Sequence, residues 1–375
     1  MRKIVALMVL VGIFITGCNQ ANIPPTDPIN NVNNPPGIDQ SAIPNVEFTT
    51  EGFCSAIDKD MLLVQNKNGL QVINLATKQV VKEISSVGTQ GVDISGDIVV
   101  WSDLRNENRN LGELGDIAKA NADIFMYNIK TGEQKQITTD PSAQLDPKIW
   151  QNYVIWQDNR NDSGKEYPGK WSLYLYDLNT GKEQVVTLTL AAHSTYNIHD
   201  FRVVWEDDRN NTASNNVRGG DNLPQNNKDI YSYDIKENVE ILIATGPLME
   251  SKPDVYGDFV VWEDRNNGTY NADIILYNIS TKHKTQITKD KVNQADPKIF
   301  GNCLVWMDER RGTSSNDVFV NGHPPNSDIY MYNLKTQTER LLTGDGPQIL
   351  PCISTNWVAF TLSRQVDPEI EVIRY

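Results

Sequence analysis

A pattern that recurs from residue 44 to the C-terminus constrains the fold of this chain more than any other feature. In five places a pair of apolar residues is followed directly by tryptophan. An apolar residue also stands seven positions before each of these tryptophans. A unit this short cannot bury its apolar face alone, so the units must pack against one another. The five tryptophans are Trp101, Trp156, Trp205, Trp262 and Trp306.

Each unit contains four strand-like segments, which we label a to d in chain order. Strand a surrounds a recurring proline, strand b carries the tryptophan, strand c ends in tyrosine, and strand d ends near a threonine. Two weaker units keep the register, with 63–65 and 358–360 in the place of the tryptophan segment. Units of four strands at this spacing are typical of a β-propeller. The sequence predicts an all-β propeller of seven blades, or of six if the weak first unit is not a full blade.

The two ends of the repeat region are complementary. The last unit stops after its strand c, at 369–375, and therefore lacks a strand d. The segment 46–50, before the first unit, has the composition of a strand d. We expect this N-terminal strand to complete the last blade, because that pairing closes the ring and leaves no open sheet edge at the junction.

The repeats resemble those of TolB-type β-propellers. The resemblance is carried by the run Asp-Pro-Lys-Ile-Phe-Gly-Asn…Leu-Val-Trp-Met-Asp-Glu-Arg at 296–310 and by Asp-Ile-Tyr-Met-Tyr-Asn-Leu at 328–334. It covers about residues 44–375 and implies a propeller fold. The chain lacks the separate α/β domain that precedes the propeller in TolB itself, so the functions of TolB are not transferred to it. A shared fold does not determine a function.

The N-terminus, residues 1–18, resembles a bacterial lipoprotein signal peptide. Arg2 and Lys3 precede a short apolar run, which ends in Ile-Thr-Gly-Cys with Cys18 at the position that is acylated. The run is too short to span a bilayer comfortably. The alternatives are an ordinary secretory signal or an uncleaved anchor. We expect cleavage and acylation at Cys18, which anchors the protein to a bacterial-type membrane outside the cytoplasm.

Residues 19–43 are rich in Asn, Pro, Asp and Gln and show no apolar periodicity. Such a segment is typical of a flexible tether. Beyond it, residues 44–375 form the predicted propeller. The chain has 34 Lys and Arg against 48 Asp and Glu, a net charge of −14 and a mean hydropathy of −0.45. These values exclude a polytopic membrane protein and argue against a nucleic-acid partner, which needs a basic surface.

A carboxylate and an arginine two residues apart follow the tryptophan in four units, and one unit has a shortened version. We expect these pairs to anchor the turn after strand b, because a feature that most blades share has a shared structural cause. A polar channel or a site for a charged ligand is the alternative. The tryptophans themselves are predicted to lie between blades, with ligand stacking as their alternative. The repeated polar positions are Asp103, Arg105, Asp158, Arg160, Asp207, Arg209, Asp264, Asp308 and Arg310.

The connections between strands b and c are the most informative for function. All of them leave the same face of a propeller, and most are long and rich in Asn, Gly and Asp. Long connections on a rigid scaffold commonly carry recognition. We expect a protein or a cell-envelope polymer to bind there, with variable solvated surface as the alternative. The long connections span 106–122, 161–171, 210–228 and 312–327.

An enzyme is the second functional hypothesis, and a purely structural surface protein is the third. Relatives of TolB-type propellers include oligogalacturonate lyases, which use a His-rich metal cluster in a central pocket. The chain has only His193, His199, His283 and His323, and it lacks the usual nucleophile, zinc and phosphate-binding motifs. We predict no catalytic residues and no cofactor. Calcium held by loop carboxylates is an alternative, although no EF-hand loop is present.

Three cysteines remain after Cys18. Cys54 and Cys352 belong to the first and last predicted blades, and a disulfide between them would join the ends of the ring. A Cys303–Cys352 bridge competes with it, and either pairing leaves one thiol unpaired. Taken together, the sequence predicts a lipid-anchored extracytoplasmic propeller that acts as a binding or scaffolding module. A polysaccharide-active, lyase-like enzyme with a site in the central pocket is the alternative.

Overall fold

The structure is a computed structural model of the chain. It describes residues 43–109, 117–163, 170–190, 194–210, 227–247, 249–265, 271–311, 327–343, 347–362 and 368–375. The signal peptide with Cys18 and nearly all of the predicted tether lie outside these ranges.

The described residues form 28 strands in seven antiparallel sheets of four strands each. Blades one to three follow β1 (Val46–Glu51) in the chain. Blade one has β2 (Phe53–Asp58), β3 (Met61–Asn66), β4 (Gly69–Asn74) and β5 (Gln79–Ile84). Blade two has β6 (Val92–Ser95), β7 (Ile98–Asp103), β8 (Asp123–Asn128) and β9 (Gln134–Gln136). Blade three has β10 (Gln144–Trp150), β11 (Tyr153–Asp158), β12 (Trp171–Asp177) and β13 (Lys182–Leu190).

Blades four to seven continue in the same order, a to d. Blade four has β14 (Tyr196–His199), β15 (Arg202–Asp207), β16 (Asp229–Asp234) and β17 (Val239–Ala244). Blade five has β18 (Glu250–Tyr256), β19 (Phe259–Asp264), β20 (Asp273–Asn278) and β21 (His283–Gln286). Blade six has β22 (Gln294–Phe300), β23 (Cys303–Asp308), β24 (Asp328–Asn333) and β25 (Thr338–Leu341). Blade seven has β26 (Gln348–Ile353), β27 (Trp357–Leu362) and β28 (Glu369–Arg374), with β1 as its outer strand.

The strands labelled a contact one another in sequence around the molecule, from β2 through β6, β10, β14, β18, β22 and β26 back to β2. They form the inner wall of a closed ring, and the d strands form its circumference. A short 3-10 helix at Ile117–Lys119 lies between β7 and β8. The seven-bladed propeller predicted from the repeats is therefore confirmed, and the six-bladed alternative is wrong.

Closure of the ring depends on the N-terminal strand. β1 pairs with β28 antiparallel, with Thr49 opposite Glu371 and Glu51 opposite Glu369. A backbone hydrogen bond from Gly52 N to Pro368 O (2.9 Å) continues the pairing toward blade one. The last blade thus takes three strands from the C-terminus and one from the N-terminus, as the sequence predicts.

The core lies between blades rather than in one central mass. Trp156 is fully buried and packs with Val100 and Ile124 of the preceding blade. Trp306 packs in the same way with Val261 and Ile274. Both faces of each blade are covered, so successive residues of the inner strands are buried on both sides. The tryptophans therefore hold blades together, as predicted.

The threonines predicted to end the d strands lie just beyond them. β9 ends at Gln136, and the following Thr138 accepts a hydrogen bond from Ile124 N at its Oγ1 (2.8 Å). Thr288 and Thr343 receive equivalent bonds from Ile274 N (2.8 Å) and Ile329 N (2.9 Å). The side chain replaces a backbone acceptor where the ladder ends, which explains why threonine recurs there. Among the described residues, no helix is long and apolar enough to cross a membrane.

Candidate functional site

The repeated carboxylate after each tryptophan lies at the end of strand b and is buried. Asp158 Oδ2 accepts a hydrogen bond from Trp156 Nε1 (3.0 Å), and Asp158 Oδ1 accepts one from Arg160 N (2.9 Å). The Arg160 guanidinium returns to Asp158 Oδ2 (2.6 Å) and lies over the Tyr174 ring, 4.2 Å from its centroid. One carboxylate thus satisfies an indole, a backbone amide and a guanidinium at the turn.

The same arrangement occurs in blades two, four and six. In each, the indole Nε1 lies 2.9 to 3.1 Å from the carboxylate and the guanidinium lies 2.6 Å from it. Burial alone would lower the pKa of Arg160, Arg209 and Arg310, but the neighbouring carboxylates raise it above the ordinary value. The aspartates are Asp103, Asp207 and Asp308, and the arginines are Arg105, Arg209 and Arg310.

Blade five departs from this arrangement. Its arginine is adjacent to the carboxylate, and Arg265 contacts Glu263 (3.4 Å). The Nε1 of Trp262 has no hydrogen-bond partner among the described residues. Asp264 instead receives Lys284 from the outer strand at 3.3 Å. The geometry in all five blades places these charges at turns on the b–c face, outside the central axis.

A second group of charges lies at the axis itself and is not evident from the sequence. The inner strands carry Asp93, Lys148, Asp254 and Lys298 at equivalent positions, all at most 3% exposed. Asp93 Oδ2 accepts a hydrogen bond from Ile149 N of the next blade, and Asp254 Oδ2 accepts one from Ile299 N, both at 2.8 Å. These charges bind neighbouring inner strands together across the ring.

The buried inner-strand charges influence one another's pKa values. Burial lowers the pKa of Lys148, while the charges of Asp93 and Asp254 oppose the shift. Asp93 lies in blade two, which adjoins blade three, whereas Asp254 lies in blade five on another part of the ring. Burial also raises the pKa of Asp93 to about 7 and that of Asp254 to about 6, although the lysines oppose the shift.

Nearer the b–c face, the inner mouth of the ring is polar. Lys252 Nζ contacts Asp296 (2.7 Å) and Glu263 (3.2 Å). Glu263 also accepts a hydrogen bond from Asp296 N (2.8 Å) at its Oε1. Glu206 accepts one from Lys252 N (2.9 Å) and contacts Lys228 Nζ (2.5 Å). The charges at the mouth are thus paired with one another.

The opposite end of the inner wall is aromatic. Trp150 lies 4.8 Å from Phe201 and 5.6 Å from His199 between ring centroids. His199 stacks on Tyr256 at 4.4 Å, and its Nδ1 accepts a hydrogen bond from Gly257 N (3.1 Å). Burial lowers the pKa of His199 to about 3, so the imidazole is neutral and acts as a packing group. His193 lies outside the described residues.

No group of three His, Cys, Asp or Glu side chains arranged to hold a metal ion occurs in the ranges that the structure describes. Of the long b–c connections, only the parts next to the strands belong to those ranges. His323, Cys18 and the carboxylates of the central loop segments lie outside them.

Cys54 and Cys352 lie side by side on β2 and β26, at the junction of blades one and seven. Both side chains are buried, and their Sγ atoms are 2.7 Å apart as a thiol pair. Cys303 lies in blade six, where its Sγ accepts a hydrogen bond from Asn333 Nδ2 (3.7 Å). The juxtaposition therefore favours Cys54, rather than Cys303, as the neighbour of Cys352.

The chain is similar in fold to several solved propellers. An oligogalacturonate lyase in complex with manganese has a TM-score of 0.55 at 11% identity, with 87% of this chain and 90% of the lyase covered. The propeller domain of the trilobed protease from Pyrococcus furiosus also has a TM-score of 0.55 at 11% identity, with 84% and 90% covered. A putative TolB from Agrobacterium tumefaciens has a TM-score of 0.46 at 16% identity, with 79% and 93% covered.

These similarities concern the fold alone. The resemblance of the repeats to TolB-type propellers is confirmed at that level, because the chain forms seven four-stranded blades. The protease domain is described as having an open Velcro topology, whereas β1 closes the ring here. No family model and no curated protein matches the chain.

Proposed function

We propose that this protein is a lipid-anchored extracytoplasmic binding module, and that it meets a protein or a cell-envelope polymer on the face formed by the b–c connections. The propeller supplies a rigid ring, and one face of that ring carries nearly all of the chain that lies in long connections between strands. The residues of that face, rather than the fold, determine which partner binds.

The distribution of connection lengths is the observation that supports the proposal. The turns between strands a and b are short in every blade, as at 96–97, 151–152 and 301–302. The connections between strands b and c span 104–122, 159–170, 208–228, 265–272 and 309–327 in blades two to six. The added chain is therefore confined to one face, and a rigid scaffold with loops on one side is a common recognition architecture.

Anchoring at Cys18 is compatible with a partner that binds the b–c face. The segment 19–43 precedes β1 directly and is long enough to hold the ring away from a membrane. The net charge of −14 disfavours close contact with anionic lipid head groups. An acylated terminus and a negative ring together leave the b–c face accessible to a partner in the envelope.

Lipidation is tested by expressing the full chain and a Cys18→Ala variant in a bacterium that processes lipoproteins. The wild type is expected in the membrane fraction, with a mass that includes acyl groups on Cys18. The Cys18→Ala variant is expected to lose both the membrane association and the mass of the acyl groups. A wild-type chain that carries no acyl group would refute the anchor.

Partner binding is tested with loop variants. Replacing the b–c connections of blades two, four and six by one of the length found in blade five is expected to abolish binding to purified cell-wall polymer or to a purified envelope protein. Altered c–d turns on the opposite face, such as 129–133, serve as the matched control and should leave binding intact. Equal loss in both sets would refute this face as the binding surface.

A further inference from the structure

The arginines that follow strand b have a second acidic partner in three blades. Arg160 contacts Glu183 (2.8 Å) and Arg209 contacts Glu240 (2.6 Å). Arg310 contacts Glu339 at 2.6 Å. Each glutamate occupies the same register position on its d strand, opposite the last tyrosine of strand c. The pairs are Tyr176 with Glu183, Tyr233 with Glu240, and Tyr332 with Glu339.

Blade two lacks this glutamate. Its strand c ends in Tyr127, and the residue opposite is Gln134. Arg105 keeps Asp103 (2.6 Å) and lies over the Phe125 ring (4.4 Å), but its guanidinium donates its other hydrogen bond to the carbonyl oxygen of Ser85 at 3.2 Å. In the described part of the chain, no second carboxylate contacts Arg105. Its side chain is 30% exposed, more than that of Arg160, Arg209 or Arg310.

Blade five shows that the residue at this register position has the charge opposite to that of the side chain it contacts after strand b. Lys284, opposite Tyr277, replaces the glutamate there and contacts Asp264 at 3.3 Å. In blades three, four and six, where the arginine stands two residues after the aspartate, the outer strand supplies an acid, and in blade five, where the arginine is adjacent to the aspartate, it supplies a base. Blade two alone, among these five blades, combines the arginine with a neutral residue.

A cavity lies at this position. Its volume is about 420 Å³, and it is lined by Lys82, Glu83, Ile84, Ser85, Val87, Arg105, Tyr127 and Gln134. Lys82 Nζ lies 4.5 Å from the centroid of the Tyr127 ring and adds a second cation. Glu83 Oε1 accepts a hydrogen bond from Gln71 Nε2 (3.0 Å) on its own blade. Two cations thus line a cleft from which the repeat's glutamate is missing.

We propose that this cleft between blades one and two binds the carboxylate of a ligand, which takes the place of the missing glutamate. A planar carboxylate matches the guanidinium fork of Arg105, and Lys82 supplies a second donor. Ile84, Val87 and the Tyr127 ring offer apolar surface for the carbon chain that carries the carboxylate. A cavity of this volume accommodates a small molecule or a short side-chain segment.

A free small carboxylate and an acidic side chain of a partner present the same chemistry. Only the second source rests on the proposed function of the b–c face. The two are separated by using glutarate for the first and a blocked peptide with a single glutamate, flanked by apolar residues, for the second. Because glutarate is titrated into the purified full chain without a partner, failure of the partner hypothesis does not affect that measurement.

Isothermal titration calorimetry at low ionic strength provides the test. Glutarate is expected to bind wild type at one site, with an affinity that falls as salt is added. Gln134→Glu restores the acid of the other blades and is expected to weaken binding at least tenfold. Lys82→Gln is expected to weaken it about fivefold, because one exposed charge contributes modestly. Both substitutions lie on outer strands and should leave the ring intact.

Glu183→Gln is the matched control, since it removes an acid at the same register position of blade three. It should leave the wild-type affinity for glutarate unchanged. The proposal is overturned if wild type binds neither glutarate nor the peptide, or if Gln134→Glu binds as tightly as wild type. It is also overturned if Glu183→Gln weakens binding as much as Gln134→Glu does. Tighter binding of the peptide than of glutarate would assign the carboxylate to a partner.

Discussion

The Sγ atoms of Cys54 and Cys352 lie 2.7 Å apart, one on the innermost strand of the first blade and the other on the innermost strand of the last. The two residues are almost 300 positions apart in the chain and meet only because the ring closes. A covalent bond at this position would join the two ends of the propeller near the axis, while β1 joins them at the circumference.

We predict that the two thiols are oxidised to a disulfide when the protein folds outside the cytoplasm. The disulfide of a separate oxidising protein is reduced to two thiols by disulfide exchange, and Cys54 and Cys352 lose their two hydrogens as their own disulfide forms. Burial raises the pKa of the Cys54 thiol well above its ordinary value, so the bond should form as the ring closes, before the junction of blades one and seven is fully packed. Mass spectrometry of a non-reduced digest should show a peptide pair joined through these residues.

Variants at the cysteines test the effect of this bond on stability. Cys54→Ser is expected to lower the free energy of unfolding by about 2–4 kcal/mol in oxidised protein, because the cross-link closes a long loop. Cys303→Ser is the matched control and should not change the digest pattern. A linked Cys303–Cys352 peptide would contradict the prediction.

The carboxylates that follow the tryptophans should contribute strongly to stability. Asp158→Ala leaves the buried Trp156 Nε1 and the Arg160 guanidinium without their partner. Removing one member of a buried ion pair costs about 3–5 kcal/mol. Asp264→Ala in blade five should cost less than half as much, since Trp262 Nε1 does not use this carboxylate. Urea denaturation measures both, and equal losses would refute a role in anchoring the indole.

Protonation of Asp93 and Asp254 should add to the free energy of unfolding as the pH falls from about 7 to about 4, whereas His199, whose pKa burial lowers to about 3, should subtract from it below about pH 6.5. Burial raises the pKa of Asp93 to about 7 and of Asp254 to about 6, against an ordinary value of 3.8. The folded state therefore binds protons more readily than the unfolded chain, and the stabilisation is lost as the pH rises through the folded pKa. Between its unfolded and folded pKa values, each aspartate adds at most about 1.4 kcal/mol to the free energy of unfolding for each unit by which the pH falls.

Denaturation with urea at several pH values checks this dependence. Asp254→Asn should flatten the stability profile between about pH 4 and 6, and the exposed turn variant Asp97→Asn should not. Below about pH 4.5 Glu107 should lower the free energy of unfolding, because the unfolded chain protonates it near its ordinary value of 4.5 while Arg109 holds the folded pKa at about 2. If Asp254→Asn had the same slope as wild type between about pH 4 and 6, the assignment of Asp254 as a buried acid would be contradicted.

The sequence predicts the blades well because each has a local signature. Trp156 and Trp306 mark strands that must be buried on both faces, and the segment 46–50 reads as a d strand because the last unit lacks one. The axial charges are harder to infer. Lys148 and Lys298 follow the recurring Asp-Pro, but a lysine in a strand usually faces solvent, and only the closed ring shows that both are buried.

The cleft beside Arg105 is hidden for a different reason. Gln134 is an ordinary polar residue of an outer strand, and its significance depends on the register that places it opposite Tyr127. The glutamates of blades three, four and six stand seven residues after the last tyrosine of strand c, as Gln134 does in blade two, so this alignment can be read from the sequence. What the sequence does not show is that the glutamate contacts the arginine after strand b, so the significance of the missing acid becomes evident only when the blades are compared in three dimensions.

The N-terminal strand should be necessary for a stable ring. Deleting residues up to 51 removes β1, exposes the edge of β28 and separates blade seven from its fourth strand. We expect a lower melting temperature and concentration-dependent association, since an unpaired edge pairs with other chains. Deleting only residues up to 42 is the control and should leave the melting temperature unchanged, because β1 is retained. Size-exclusion chromatography and thermal denaturation measure both effects. If the shorter and the longer deletions behaved alike, closure by β1 would not stabilise the propeller, and the contacts between the inner strands β2 and β26 would have to hold the ring by themselves.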